Sequence, residues 1–289
     1  IDDISPLREI NEAMLQEKLH FFSSDPIVID ETQSFSGSFG AETQFVGGNK
    51  PTSAQIKYHL KKRHTFGKMS MVILNTKGDT ISEIGPGKTK GINIVNWNYS
   101  MKQPKVAKGK TFSFGGFTAP QLQAGKYVVK IKKGKDVFEQ TIELIYDPKS
   151  TITLTERESK YKTVMELYNM CESLAYDVYC VDAFLDYANT SKNKKLSKKL
   201  NSLKETMVIT TGDNYVGTAE PQLREKMTAI FSRIESNPGE PTSTELENLE
   251  QIRKLYDSSR AELSKLEKKY KLLKRVELKD KEQFLKSDK

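Results

Sequence analysis

The chain has 289 residues, 46 Lys and Arg against 38 Asp and Glu, and a formal charge of +8 at neutral pH. That length is roughly two domains of ~150 residues, enough for two apolar cores with no disulfide or metal staple. A mean hydropathy of -0.59, with no apolar run near the ~20 residues that cross a bilayer, excludes a transmembrane helix. The 36% hydrophobic and 9% aromatic content excludes wholesale disorder.

The chain opens Ile1-Asp2-Asp3-Ile4-Ser5-Pro6-Leu7, with no Met and no basic-then-apolar leader, and residues 1–26 are expected to be an exit segment from an upstream domain. From Ile27 to Tyr146 the pattern is β. Gln55 to Leu60 alternates polar and apolar, and Met69, Met71 and Ile73 repeat the alternation. Asn75 to Asp79 supplies a hairpin turn, and Gly91 to Asn98 a further strand bearing the single tryptophan, Trp97. Tyr127, Val129 and Ile131 lead through Lys133-Gly134-Lys135 to Phe138, Ile142 and Leu144, a second hairpin. Short strands with turn signals and no helices between them predict an antiparallel sandwich over 27–148. Residues between Tyr99 and Ala124 form a long insertion rich in Lys, Gly and Phe.

Asp147-Pro148 ends the β pattern, and Thr155 to Glu158 fits a helical capping box. Val164, Leu167, Cys171, Leu174, Val178, Val181, Leu185 and Ala188 then follow a 3-4 spacing. A second helix is predicted over 193–208, a third from Pro221, and a last one opening at Thr242 or Ser243 with a stripe from Leu249 to Leu273. Four helices with short links predict an antiparallel bundle over 149–278 with long, coiled-coil-like helices, and 279–289 reads as a charged, fraying tail. Cys171 and Cys180 fall on one helix on opposite sides, about 13 Å apart along its axis, so they cannot bridge and read as small buried side chains.

No motif for catalysis, metal or cofactor emerges. Gly85-Pro86-Gly87-Lys88-Thr89 imitates a phosphate loop, but Ser82 stands where its first Gly belongs and a strand follows in place of a helix. His20, His59 and His64 lack ligand spacing, with His59 placed on the polar face of a strand. No nucleophile elbow is present, and the carboxylates of the β half lie at turns or on one exposed face. Two basic segments interleave with aromatics: Lys61, Lys62, Arg63 and His64 with Phe66, and Lys102 to Lys110 beside Phe112, Phe114 and Phe117. Such segments can hold nucleic acid, yet 8 Arg against 38 Lys disfavours it. These eight residues, Lys61 to His64, Phe66, Phe112, Phe114 and Phe117, are the candidate partner contacts, because exposed aromatics beside cations make good anchors. The alternative for the insertion is that its Phe residues tie it to the sandwich.

Ile1 to Arg8 resembles the exit sequence after the last blade of bacterial sortilin-like, Asp-box β-propeller "glycosyl hydrolase" proteins. Ile56-Lys57-Tyr58-His59-Leu60, Met71 to Leu74, Gly78, Gly91 to Trp97 and Ala124 to Val129 are similar to the Ig-like module after such propellers, with Asn75 in place of the usual Asp and Ala124 in place of Pro. The helical half resembles the carboxy-terminal extension of the same proteins. The resemblance implies a non-enzymatic, interaction or scaffolding region of a secreted, periplasmic or outer-membrane-associated protein of Bacteroidota-type bacteria. No cofactor is implied, and any hydrolase activity would sit in the propeller. The implied partner is a protein or the propeller of the same polypeptide. A carbohydrate-binding accessory role, with Trp97, Tyr99 or Phe114 stacking on a glycan, is the rival, and weak nucleic-acid binding through the basic loops a third reading.

Overall fold

A computed structural model describes residues 4–31, 53–212 and 219–287, without the side chain of Phe114. It is a mixed α and β protein, with antiparallel and mixed sheets and several long helices. The chain divides into two units, one of Ile1–Lys102 with Gln121–Thr151 and one of Gln103–Pro120 with Ile152–Lys289.

The first unit carries the strands. Two short helices, α1 (Ser5–Glu9) and α2 (Glu12–Gln16), precede β1 (Leu19–Phe21) and β2 (Ile27–Ile29). Then come β3 (Ala54–Leu60), β4 (Met69–Leu74), β5 (Thr80–Ile84), β6 (Gly91–Trp97), β7 (Gly125–Lys133) and β8 (Asp136–Tyr146). One sheet has the order β1-β3-β6 and the other β2-β8-β7-β4-β5. The alternation seen in the sequence places Ile56, Tyr58 and Leu60 of β3, Met69, Met71 and Ile73 of β4, and Val129 and Ile131 of β7 in one core with Trp97 and Tyr99. The hairpin between β4 and β5 turns at Gly78, whose φ of +86° suits glycine, while Asn75 Oδ1 accepts the Lys77 and Asp79 amides at 2.9 Å.

Three features differ from the sequence reading. The sheets are not purely antiparallel, since Ile27 to Ile29 pair in parallel with Leu144 to Tyr146. The strand unit begins before the expected 27, taking in residues 4–26: Met14, Leu19 and Phe22 are buried, and Leu19 pairs with Leu60. His59 is 7% exposed and not on a wet face, because β1 lies alongside it and sets His20 directly opposite.

The second unit is helical: α3 (Leu154–Thr190), α4 (Lys194–Met207), α5 (Leu223–Ser236), α6 (Ser243–Tyr270) and α7 (Lys281–Lys286). The 3-4 stripe of α3 is buried at Val164, Leu167, Cys171, Leu174, Val178, Val181 and Ala188, against Leu196 and Leu200 of α4, Met227 and Phe231 of α5, and Leu249 and Leu263 of α6. The capping box of α3 lies two residues earlier than expected. Thr153 accepts the Glu156 amide at 3.2 Å and Glu156 Oε2 accepts the Thr153 amide at 2.6 Å, as Thr153 and Thr155 each have a Glu three residues on. α6 is opened by the equivalent box of Thr242 and Glu245. Pro221 precedes α5 instead of starting it, with Gln222 as the cap. Both cysteines are buried and free, and burial raises the Cys171 thiol to about 12 and Cys180 to about 11, so neither is a thiolate near neutral pH.

His59 yields a prediction. Burial, aided by the charges of His20 and Lys90, holds its pKa below the usual 6.5. The folded chain therefore takes up fewer protons than the unfolded chain just below pH 6.5, and the stability present above that pH declines as the medium is acidified. His59→Phe should flatten this fall between pH 7 and 5, measured as the urea midpoint of Trp97 fluorescence; an identical slope in both proteins refutes it.

Candidate functional site

The two ends of the insertion after β6 belong to the strand unit, where Ser100 bridges Gln121 and the Leu122 amide donates to Tyr99 O at 2.9 Å. Residues 103–120 run as a strap over the helical unit, with one 3-10 turn, Phe114–Phe117, as their regular structure. A strap of this kind presents backbone carbonyls and amides that no ladder satisfies. Arg224 of α5 meets that need. The residue is 4% exposed, and the guanidinium donates to Ala107 O (3.2 Å), Thr111 O (2.9 Å) and Thr111 Oγ1 (2.8 Å). Its charge is balanced by the neighbouring Glu225, whose Oε1 accepts from Nε at 2.7 Å. Ser113 Oγ and Thr228 Oγ1 lie 2.6 Å apart, and the Lys110 amide donates to Ile209 O at 2.9 Å. Two glycines make the close approach feasible. A Cβ on Gly109 would lie 2.6 Å from the Arg224 guanidinium, and one on Gly115 would overlap the Thr228 carbonyl.

Between strap, α3 and the C-terminal segment lies a cleft of about 670 Å³. Val106, Ala107, Ala175, Val178, Tyr179 and Phe284 give it apolar walls, and Lys105, Lys108 and Lys279 line it with cations. Phe112 and Phe117 stand among its lining residues with ring centroids 5.0 Å apart, and both are more than half exposed, at 54% and 56%. A pair of large apolar rings held on a fixed backbone and left wet is the arrangement expected of a contact anchor.

Lys279, Phe284 and Ser287, in the stretch read as a charged tail, line this cleft. Phe284 of α7 stacks on Tyr179 at 4.8 Å and meets Tyr176 at 5.7 Å. Lys105 Nζ sits 4.1 Å above the Phe284 ring and donates to Phe284 O (2.6 Å) and Ser287 O (2.9 Å), a cation on the carbonyl end of a helix. The Lys279 amide donates to Tyr179 Oη at 3.1 Å, and Tyr176 Oη donates to Lys279 O at 3.0 Å.

The sequence-derived contacts fall into two places. Phe112 and Phe117 meet on the strap of the helical unit, while the side chain of Phe114 lies outside the described residues. Lys61, Lys62, Arg63, His64 and Phe66 occupy the β3–β4 loop of the strand unit. There Lys61 Nζ donates to Gln16 Oε1 (2.7 Å), the His64 amide donates to Lys88 O (3.0 Å), and Phe66 is 89% exposed. Within the helical unit the strap is anchored on α5. Trp97 and Tyr99, candidates for stacking on sugars, are 4% and 1% exposed and belong to the core. The phosphate-loop imitation is a packed turn, in which buried Asn93 Oδ1 accepts the Thr89 amide (3.1 Å) and hydroxyl (2.8 Å) and Tyr58 Oη donates to Gly87 O (2.6 Å). Its glycine is there for space, since a Cβ on Gly87 would lie 2.6 Å from Asn93 Oδ1.

Sequence reasoning missed Arg224, a cation beside the buried Leu223 and Met227, and Asp177, a carboxylate within the α3 stripe. Asp177 is buried, and burial raises its pKa against the opposing pull of Arg260. It accepts from Tyr256 Oη at 3.0 Å and pairs with Arg260 at 3.2 Å, which also reaches Glu267 at 3.4 Å, bracing α3 to α6. Among the described residues no group of three His, Cys, Asp or Glu is placed to hold a metal, and no helix is long and apolar enough to cross a membrane.

No family model matches the chain, and no curated relative does. Of solved structures, the chain is similar to CopC from Methylosinus trichosporium OB3b, at 19% identity over 34% of this chain and 80% of that one, with a TM-score of 0.20. A likeness that slight bears no weight for fold or function.

The strap's anchorage is testable. Arg224→Ala removes a buried guanidinium and leaves the largely covered Glu225 carboxylate without its cation, and should cost about 3 kcal/mol. Gly115→Ala should loosen the strap without touching charge. In both variants amide exchange should rise at Ala107 to Thr118 before it rises in β3 and β7; protection unchanged at the strap refutes the assignment.

Proposed function

We propose that this chain is a non-catalytic docking region whose principal contact is the Phe112–Phe117 pair and the cleft beside it. The observation carrying the reading is that two large rings stay more than half exposed on a backbone fixed by a buried arginine and two close-packed glycines. Loops that are merely surface linkers have no need of that fixation. A preorganised aromatic pair loses little freedom on binding, so its burial converts efficiently into affinity. Lys108 and Lys279 at the cleft favour a partner presenting carboxylates next to an apolar side chain.

Within this reading the strand unit is an Ig-like sandwich and α3 to α6 an antiparallel four-helix bundle. The convergence of both sheets on one core and of the four helices on another supports that description. The partner is a protein, or a propeller domain of the same polypeptide, in a secreted or envelope-associated bacterial assembly, as the resemblance of Ile1 to Arg8 and of Gly91 to Trp97 suggests. The glycan reading is weaker because Trp97 and Tyr99 are core residues.

A photo-crosslinking phenylalanine analogue placed at 117 in the source cells tests this. The expected result is one crosslinked protein band above 32.8 kDa that disappears when Phe112→Ala is added, with the melting temperature unchanged. Crosslinks that persist in Phe112→Ala, or none at all, would overturn the reading.

A further inference from the structure

A different surface, on the strand unit, has its own chemistry. The registers bring four connections to one end of that unit. Leu60 at the end of β3 pairs with Gly91 at the start of β6 and with Leu19 at the start of β1, while Met69 at the start of β4 pairs with Lys133 at the end of β7. Backbone bonds knit the loops together: His64 N donates to Lys88 O (3.0 Å) and Gly134 N to Lys68 O (3.4 Å). The end so formed carries Lys62, Arg63, Lys68, Lys88, Lys90 and Lys135, all exposed. The carboxylates near it are already engaged, Asp136 with Lys18 at 2.9 Å and Glu17 with His20 at 3.1 Å. Among the described residues none of the six cations has a carboxylate within ion-pair distance.

Out of this basic crown projects Phe66, 89% exposed, the most exposed of the large apolar side chains among the described residues. Gly67 follows with φ +85° and open space where its Cβ would be, so the chain reverses directly after the ring with no side chain over it. A ring this wet gains free energy from any apolar phase it can enter.

We propose that this end of the strand unit docks on a lipid bilayer carrying anionic headgroups, with Phe66 entering the boundary between headgroups and acyl chains and the six cations resting on the headgroup phosphates. A bilayer suits a protruding tip, whereas a nucleic-acid strand needs a groove with successive stacking platforms, and here there is one ring. Five of the six cations are lysines, which act as point charges on a diffuse anionic surface; base and phosphate forks select arginine. The contact is peripheral and requires no membrane-crossing helix.

The test uses the full chain and flotation with vesicles of phosphatidylcholine alone or with about one-third phosphatidylglycerol. The chain should float only with the anionic vesicles, and less as salt is raised. Phe66→Ala should lower the partition coefficient about tenfold, and Lys62→Glu with Lys88→Glu by roughly twentyfold or more. Phe66→Trp should shift its emission to the blue on adding anionic vesicles, over the constant background of buried Trp97. Because every altered side chain is exposed, the melting temperature of each variant should stay at that of the parent. Equal flotation with both vesicle types, no flotation at low salt, or an unmoved Phe66→Trp emission while the chain floats would each overturn the proposal. So would capture by an oligothymidine that anionic vesicles do not displace, which would turn the crown to nucleic acid instead.

Discussion

The helical unit depends on one buried guanidinium. An ordered segment without a ladder must find partners for its carbonyls, and Arg224 supplies donors to two of them and to a threonine hydroxyl from within the α5 surface. An arginine is suited to this because its planar fork can serve several acceptors at once, and Glu225 keeps the buried charge compensated. Glycine at 109 and 115 brings the strap backbone within reach of that fork and of the Thr228 carbonyl. Everything presented by the strap, from Lys105 to the Phe112–Phe117 pair, inherits its position from this contact.

The dependence continues outward. Lys105 leaves the strap and ends on the carbonyls of α7, so the C-terminal helix is clamped between a strap cation and the tyrosines of α3. None of the residues of α7 is fully buried, and the helix is six residues long, too short to persist by its own hydrogen bonds. Its order is borrowed from Tyr176, Tyr179 and Lys105. On another side of α3 the Asp177, Arg260 and Glu267 group fixes the register of α6, where apolar packing alone would allow sliding along the stripe.

Much of the framework was legible in periodicity, and what escaped had no period to read. β3, β4, β6, β7 and β8 and the helices α3 to α6 are long enough for a two-fold or 3-4 repeat to stand out. β1 and β2 are three residues each, too brief for alternation, and the parallel pairing of β2 with β8 joins residues more than a hundred positions apart. The double frame Thr153–Glu156 and Thr155–Glu158 satisfies the capping rule twice, and local chemistry could not choose between them. Phe112 and Phe117 were visible as aromatics beside lysines, but their anchor was not. Arg224 lies 113 residues from Thr111 and sits in a helix face that reads as ordinary amphipathic sequence. α7 looked like a solvated tail because Phe284 and Leu285 are its two apolar residues.

That separation has a consequence for how the chain is made. By Tyr146 every described strand of the β unit has been synthesised, so its sheets can pair as soon as that segment leaves the ribosome. The strap, though made before β7, waits for Arg224. At about 5–20 residues per second the wait is roughly 6–23 s. During that interval Phe112, Phe117 and the strap carbonyls are held by neither α5 nor α3, on a nascent chain whose sheets are already closed. The exposed lysines in the same stretch, Lys102, Lys108 and Lys110, then act as gatekeepers, keeping an aromatic-rich loop soluble until its anchor is synthesised.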